Sequence, residues 1–349
     1  MLVHFIVPFR LRKWAYPLLK WHARLKKDGI NVVVRSHPCT SQRRRADIVI
    51  LTNYYYRFLY PDNKSFYDRS RPRIIEDIKT QRGFGSRIVF YDLTAGVSTR
   101  AFWPIRYSDL FLKCQLLRDK KAYTNVDKPY RLHPMVPEEE LVGDVCEPGD
   151  LPRLQLGWNL GYSDYRTTSR WRMRLRYQSF REPRFTLPNV GRPLMTSFRG
   201  CASGPGRSVQ RHKLVKLLAS RDDPHLVTGE LLNYRRYLDE LRRCQTVISP
   251  FGHGEVCYRD FEAFVVGAAL IKPSVEHLTT FPEIYNPGET YLPCRWDLSD
   301  VLELLDDIGQ GRVDTLPIAQ RGQELFIEQY LNYSHFAEHF KTILAQAAA

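Results

Sequence analysis

Short apolar runs rich in β-branched residues alternate with stretches of helical periodicity along most of this chain, and that alternation constrains its fold more than any other feature. Residues 3–7, 30–34, 47–51 and 87–91 are such runs in the first half, and the apolar run 109–113 offers a fifth strand. Each is too short for a helix and apolar enough for a strand covered on both faces. Between residues 14 and 27, Trp14, Leu18, Trp21 and Leu25 recur at spacings of four and three, one face of a helix, with Pro17 required to sit in its first turn. The second half predicts strands at 194–198, 246–249, 268–272 and 290–292. It predicts helices over 209–220, 234–243, 259–266, 298–307, 318–330 and 335–345. Strands alternating with helices imply right-handed β-α-β crossovers and parallel sheets. Residues 137–190 break the rhythm. The chain therefore reads as α/β with two doubly wound lobes, 1–185 and 186–349, facing across a cleft, the last helix placed to cross back to the first lobe. Ligands of such lobes sit beyond the carboxyl ends of the strands, here in the cleft.

A chain of 349 residues, 43% apolar and 13% aromatic, can bury two cores, which excludes wholesale disorder. No apolar run approaches the roughly 18 residues of a spanning helix, and the apolar start lacks the basic segment of a signal peptide. Seven scattered cysteines with no CxxC pair argue against a disulfide framework or zinc knuckle and for a reducing, cytoplasmic setting. The net charge of +14 is unevenly spread: residues 1–184 hold 35 Lys and Arg against 18 Asp and Glu, and the remainder 17 against 20. A basic first lobe implies an anionic partner, whether membrane surface, charged glycan or lipid carrier, or nucleic acid. Within residues 166–184, Arg170, Arg172, Arg174 and Arg176 alternate with Trp171, Met173, Leu175 and Tyr177. One reading is a solvated edge element. The other is a surface that docks peripherally on anionic lipid or glycan, with nucleic acid the less favoured partner.

The most informative stretch is 249–273. A strand ends in a loop holding Phe251, Gly252, His253 and Gly254, and a helix begins near Tyr258. Unpaired N–H groups and the positive dipole end of such a helix suit a phosphate. Arg259 falls in the first turn, where the dipole disfavours a cation unless an anion meets it, for instance a diphosphate. Glu262, three residues on and on the same face, could accept two ribose hydroxyls. The plain alternative is an Arg–Glu pair on a helix surface.

The run Arg259-Asp260-Phe261-Glu262-Ala263, four further residues, Gly267, and an apolar strand ending in Pro273 resembles the donor-nucleotide segment of GT-B glycosyltransferases, two Rossmann-like lobes in which exostosin-like and bacterial family 1 members are the nearest patterns. The similarity extends over roughly 194–345 through Phe281-Pro282, Gly288-Glu289, Tyr291, Asp297-Leu298 and Arg321-Gly322. The resemblance implies a nucleotide-sugar donor, with Arg259 and Glu262 on diphosphate and ribose, and Phe251 to Gly254 lining sugar or phosphate. Many retaining members carry two Glu separated by seven residues here. Glu255 and Glu262 are separated by six, so that pair does not define the mechanism.

In the exostosin-like group a Phe-x-Gly turn with a following Arg occupies a place comparable to Phe198-Arg199-Gly200, which makes Arg199 and Arg207 candidate diphosphate ligands; Arg211 follows. They can equally be loop cations. An inverting transfer needs a base from a strand end of the first lobe, and Asp92, ending a strand before a polar loop, is the candidate, with a helix N-cap as its alternative role. No Asp-x-Asp follows an apolar run, and no His/Cys/Asp cluster has ligand spacing, so no metal is expected. The sequence thus points to a metal-independent glycosyltransferase of surface polysaccharide synthesis (capsule or lipopolysaccharide) acting on an anionic or lipid-linked acceptor. A nucleic-acid or polyanion binder and a non-catalytic partner of another transferase are the rivals.

Overall fold

Burial of the β-branched runs on both faces builds two parallel sheets, seen in a computed structural model that describes residues 1–8, 13–59, 66–97, 101–125, 144–165, 182–199, 208–252 and 254–349. The first half supplies β1 (Leu2–Ile6), β2 (Asn31–Arg35), β3 (Ile48–Thr52), β4 (Arg87–Asp92), β5 (Leu110–Lys113), β6 (Gln115–Leu117) and β7 (Leu154–Leu156). The second supplies β8 (Leu194–Phe198), β9 (Leu226–Thr228), β10 (Cys244–Ile248), β11 (Ala269–Pro273), β12 (Leu278–Thr280) and β13 (Leu292–Cys294). The first sheet runs β2-β1-β3-β4-β5-β7 and the second β9-β8-β10-β11-β13, all strands parallel. Both follow one winding order: second strand, first, third, fourth, fifth. The winding therefore reverses between β1 and β3 in one lobe and between β8 and β10 in the other, and such reversals leave a crevice beyond the strand ends.

The predicted helix at 14–27 divides at Trp21 into α1 (Tyr16–Lys20) and α2 (His22–Lys27), with Pro17 in the first turn of α1. Trp14, Leu18, Trp21 and Leu25 are all buried, so the periodicity described the face although the backbone breaks. The remaining helices are α3 (Asn53–Leu59), α4 (Phe66–Gly83), α5 (Ser208–Ala219), α6 (Tyr234–Leu241), α7 (Tyr258–Val266), α8 (Val301–Gly309), α9 (Thr315–Leu331) and α10 (Tyr333–Ala348). The helix predicted from 298 starts later because Leu298, buried, takes a left-handed φ of 60° that no helix continues.

A strand pair and two helices are among the contacts that join the lobes. Strands β6 and β12 pair antiparallel, Gln115 opposite Thr280. Helix α9 packs Phe326 on Phe261 and Phe264 of the second lobe and sets the Tyr330 hydroxyl 3.2 Å from that of Tyr16. Helix α10 lies against the first sheet: Phe336 and Phe340 meet Trp158 edge to face at 5.7 and 6.0 Å, Tyr333 donates to Asp28, and Arg87 donates to the Ala348 carbonyl.

Candidate functional site

The second-lobe wall of the cleft is set by how α7 begins. Cys257 is its N-cap, and Asp260 closes a capping box by accepting the Cys257 N–H at 3.1 Å. Asp260 is fully buried. It is held by Lys272 at 3.4 Å, the Tyr285 hydroxyl at 2.7 Å and the Ser249 hydroxyl. Lys272, equally buried, also donates to the Glu255 carbonyl at 2.6 Å. A buried ion pair with this many hydrogen bonds fixes the 249–257 loop and the direction of the helix. Gly267 ends α7 in the left-handed region, φ 65°, and a Cβ there would lie 2.3 Å from the Thr186 carbonyl oxygen.

Between the lobes lies a cavity of about 460 Å³. From the second lobe it is lined by Arg199, Arg211, Leu231, Leu232, Tyr234, Tyr237, Gly252, Val256, Cys257, Tyr258, Arg259 and Glu262; from the first, by Lys13, Trp14, Tyr54, Ala95 and Leu160. The Arg259 guanidinium stacks over Phe198, the last residue of β8, at 4.6 Å, and no ion pair among the described residues takes it. Glu262 accepts from the Tyr237 hydroxyl at 3.0 Å. Burial pushes the Glu262 carboxyl above its ordinary range, against the opposing pull of Arg259 and of the Tyr237 and Tyr234 hydroxyls. The N-terminus of α7, Arg259 and Glu262 thus share one cavity wall, where a diphosphate and a diol would find a cation, N–H groups and a carboxylate together.

Of the residues singled out from sequence, Gly252, Tyr258, Arg259 and Glu262 line the cavity, and so does Arg199. Arg199 differs from Arg259 in what it meets: its fork closes on both oxygens of Glu240, Nε–Oε1 3.0 Å and Nη2–Oε2 2.8 Å. Its charge is therefore already matched.

Three expectations need correcting. Asp92 is not placed to be a base. It is fully buried and outside the cavity lining. It pairs with buried Lys113 at 3.0 Å, and it accepts from Asn53 at 2.7 Å, from the Thr94 N–H at 3.0 Å and from the Thr94 hydroxyl. With both oxygens engaged, no acceptor hydroxyl reaches it. Phe251 does not line the cavity. It is buried against Trp296 at 5.7 Å with Lys272 over its ring at 4.9 Å. Gly254 is an inter-lobe contact, since a Cβ there would fall 1.8 Å from the Ala95 carbonyl oxygen, so only glycine admits the first-lobe backbone. Arg207, His253 and residues 166–181 of the basic-aromatic stretch lie outside the described residues.

Sequence reasoning missed the first-lobe wall. Lys13 and Trp14 follow β1, and Tyr54 follows β3, so all three stand at the carboxyl ends of strands on either side of the winding reversal. That position was the available signal. Tyr237 was missed because an i, i+3 tyrosine pair on α6 reads as an amphipathic face. Among the described residues no group of three His, Cys, Asp or Glu could hold a metal ion, and no helix is long and apolar enough to cross a membrane.

In three dimensions the chain is similar to the lipopolysaccharide outer core galactosyltransferase WaaB in its apo form, at 9% identity and a TM-score of 0.55, with 99% of each chain covered. It is similar as well to Alr3699/HepE of Anabaena in complex with UDP, at 11% identity and a TM-score of 0.51, covering 99% of this chain and 100% of that one. No protein-family model and no curated protein matches the sequence. At these identities the likeness is one of fold. The chain has the GT-B architecture of two Rossmann-like lobes facing across a cleft.

Proposed function

We propose that this protein is a glycosyltransferase that moves a sugar from a nucleotide-sugar donor to a glycan acceptor in surface polysaccharide synthesis. The observation that carries the reading is the joint placement of Arg259 and Glu262, on the first turns of α7, in the wall of a cavity at the winding reversal of the second lobe, with first-lobe side chains opposite. The donor diphosphate lies against Arg259 and the N-terminal N–H groups of α7, and the ribose against Glu262. The basic first lobe receives an anionic or lipid-linked acceptor, with the chain working in the cytoplasm at the inner membrane face. Guanidinium and N–H groups stabilise the leaving diphosphate in place of a divalent metal. The GT-B fold shared with WaaB and with UDP-bound HepE supports the reading. A nucleic-acid binder would leave the Arg259–Tyr237–Glu262 constellation without a use.

Thermal shift with UDP, dTDP, GDP and ADP tests it. One of them stabilises the wild-type chain, and Arg259→Ala weakens that nucleotide by roughly ten- to a hundredfold, the loss of a charge-assisted bond to phosphate. Stabilisation by none of the four, or equal stabilisation of the variant, would refute the proposal.

A further inference from the structure

Lys13 is the one charged side chain that the described part of the first lobe contributes to the cavity wall. Its ammonium stands 4.9 Å from the centre of the Tyr258 ring on the opposite lobe and 5.8 Å from that of Trp14 beside it. It makes no ion pair with any described residue. An ammonium resting on ring faces is attracted by their quadrupoles, yet its three N–H donors find no acceptor there. Tyr258 immediately precedes Arg259, so Lys13 reaches across the cleft to the segment where the guanidinium stands. Among the described residues of the cavity wall, Lys13, Arg199, Arg211 and Arg259 are cationic and Glu262 is the single carboxylate; Arg199 is matched by Glu240 behind it, and Arg211 has contacts of its own.

We infer that Lys13 is a donor-diphosphate ligand contributed by the first lobe, its ammonium leaving the Tyr258 ring for a phosphate oxygen. The inference rests on the reading of the cavity as a nucleotide-sugar site. It assigns to the first lobe a share of donor recognition beside its role toward the acceptor. An ammonium on the phosphate that a monophosphate lacks distinguishes the two nucleotides, whereas contacts to base and ribose do not.

The test is calorimetric titration of the full chain with whichever of UDP, dTDP, GDP and ADP stabilises it most, and with the matching monophosphate. Lys13→Met is expected to weaken the diphosphate by about tenfold or more, in line with one lost charge-assisted bond, and the monophosphate by less than about threefold. Lys13→Arg restores most of the difference. Both variants keep the nucleotide-free melting temperature, because Lys13 is only half-buried. Equal weakening of both nucleotides, or an unchanged diphosphate affinity in Lys13→Met while Arg259→Ala loses it, rejects the role of Lys13 and leaves the donor reading standing. A wild-type chain that binds none of the four diphosphates removes the donor reading, and this inference with it.

Discussion

The two lobes share a winding order and one buried device, yet only one of them turns that device toward the cleft. In the first lobe Asp92 pairs with Lys113 at 3.0 Å; in the second Asp260 pairs with Lys272 at 3.4 Å; all four side chains are fully buried. Each pair fastens the carboxyl end of a parallel sheet to the loop beyond it. In the second lobe the helix carrying Asp260 also presents Arg259 and Glu262 to the cavity. In the first lobe the corresponding loop presents Ala95, an apolar methyl. A charged residue at a strand end is thus no site in itself. A site arises where charge remains after the fold has met its own needs and faces a gap.

The largest effects should come from the shared device. Lys113→Met strands the Asp92 carboxylate in the core, and Lys272→Met does the same to Asp260. Breaking a buried pair from one side costs about 3–5 kcal/mol, so both variants should lose that much in urea denaturation. Asp92→Asn should likewise lower the denaturation midpoint and lose activity only in proportion to the folded fraction. If Asp92→Asn abolished turnover with an unchanged midpoint, Asp92 would be the base after all and the contrast between the lobes would collapse.

Where the lobes touch, a further buried acid sharpens the comparison. Glu255 is fully buried, accepts the Val97 N–H of the first lobe at 3.2 Å, and has its other oxygen without a partner. Burial pushes its carboxyl up to about 7, against the weaker opposing effects of its own and the Val97 N–H and of Lys272 and Lys113. The folded chain therefore binds this proton more tightly than the unfolded chain. The stability it contributes is complete below the ordinary carboxylate range and is lost as pH rises through about 7. From the width of that window the fall between about pH 5 and 8 is on the order of 3 kcal/mol. Glu255→Gln should flatten it, and the variant should be the more stable protein at pH 8. A wild-type profile that is flat in urea denaturation across that range would contradict the assignment.

How much of this was legible in the sequence depends on the distance over which each feature is decided. The β8 strand at Leu194–Phe198 and the helix carrying Arg259 were readable because local pattern sets them: a short apolar run, glycines, and a cation in a first turn. The role of Asp92 was hidden because Lys113 opposes it only through the β4–β5 register, which no local pattern specifies. The β6–β12 pair joins two three-residue strands from different lobes, too short to stand out from their surroundings. Phe251 looked like a wall residue because it sits among glycines, and only Trp296, far along the chain, turns it into core. The first-lobe wall was open to inference from position alone, since Tyr54 stands just past the end of β3, where Trp14 stacks on it at 6.2 Å.

The smallest expected effect isolates one hydrogen bond in the second-lobe wall, and with it the claim that this wall aims a carboxylate at the ligand. The Tyr237 hydroxyl donates to Glu262 Oε2 at 3.0 Å, so it fixes the angle at which the carboxylate faces the cavity. Tyr237→Phe keeps the ring and removes that bond, worth about 1 kcal/mol. The nucleoside diphosphate that binds best should then weaken by roughly three- to tenfold. Because the lost bond orients Glu262, discrimination against the 2′-deoxy form of that nucleotide should shrink in the variant. Full discrimination in Tyr237→Phe, measured by the same titration, would mean that Glu262 is aimed by its own packing or does not touch the ribose. The functional contrast between the two lobes would then rest on Arg259 alone.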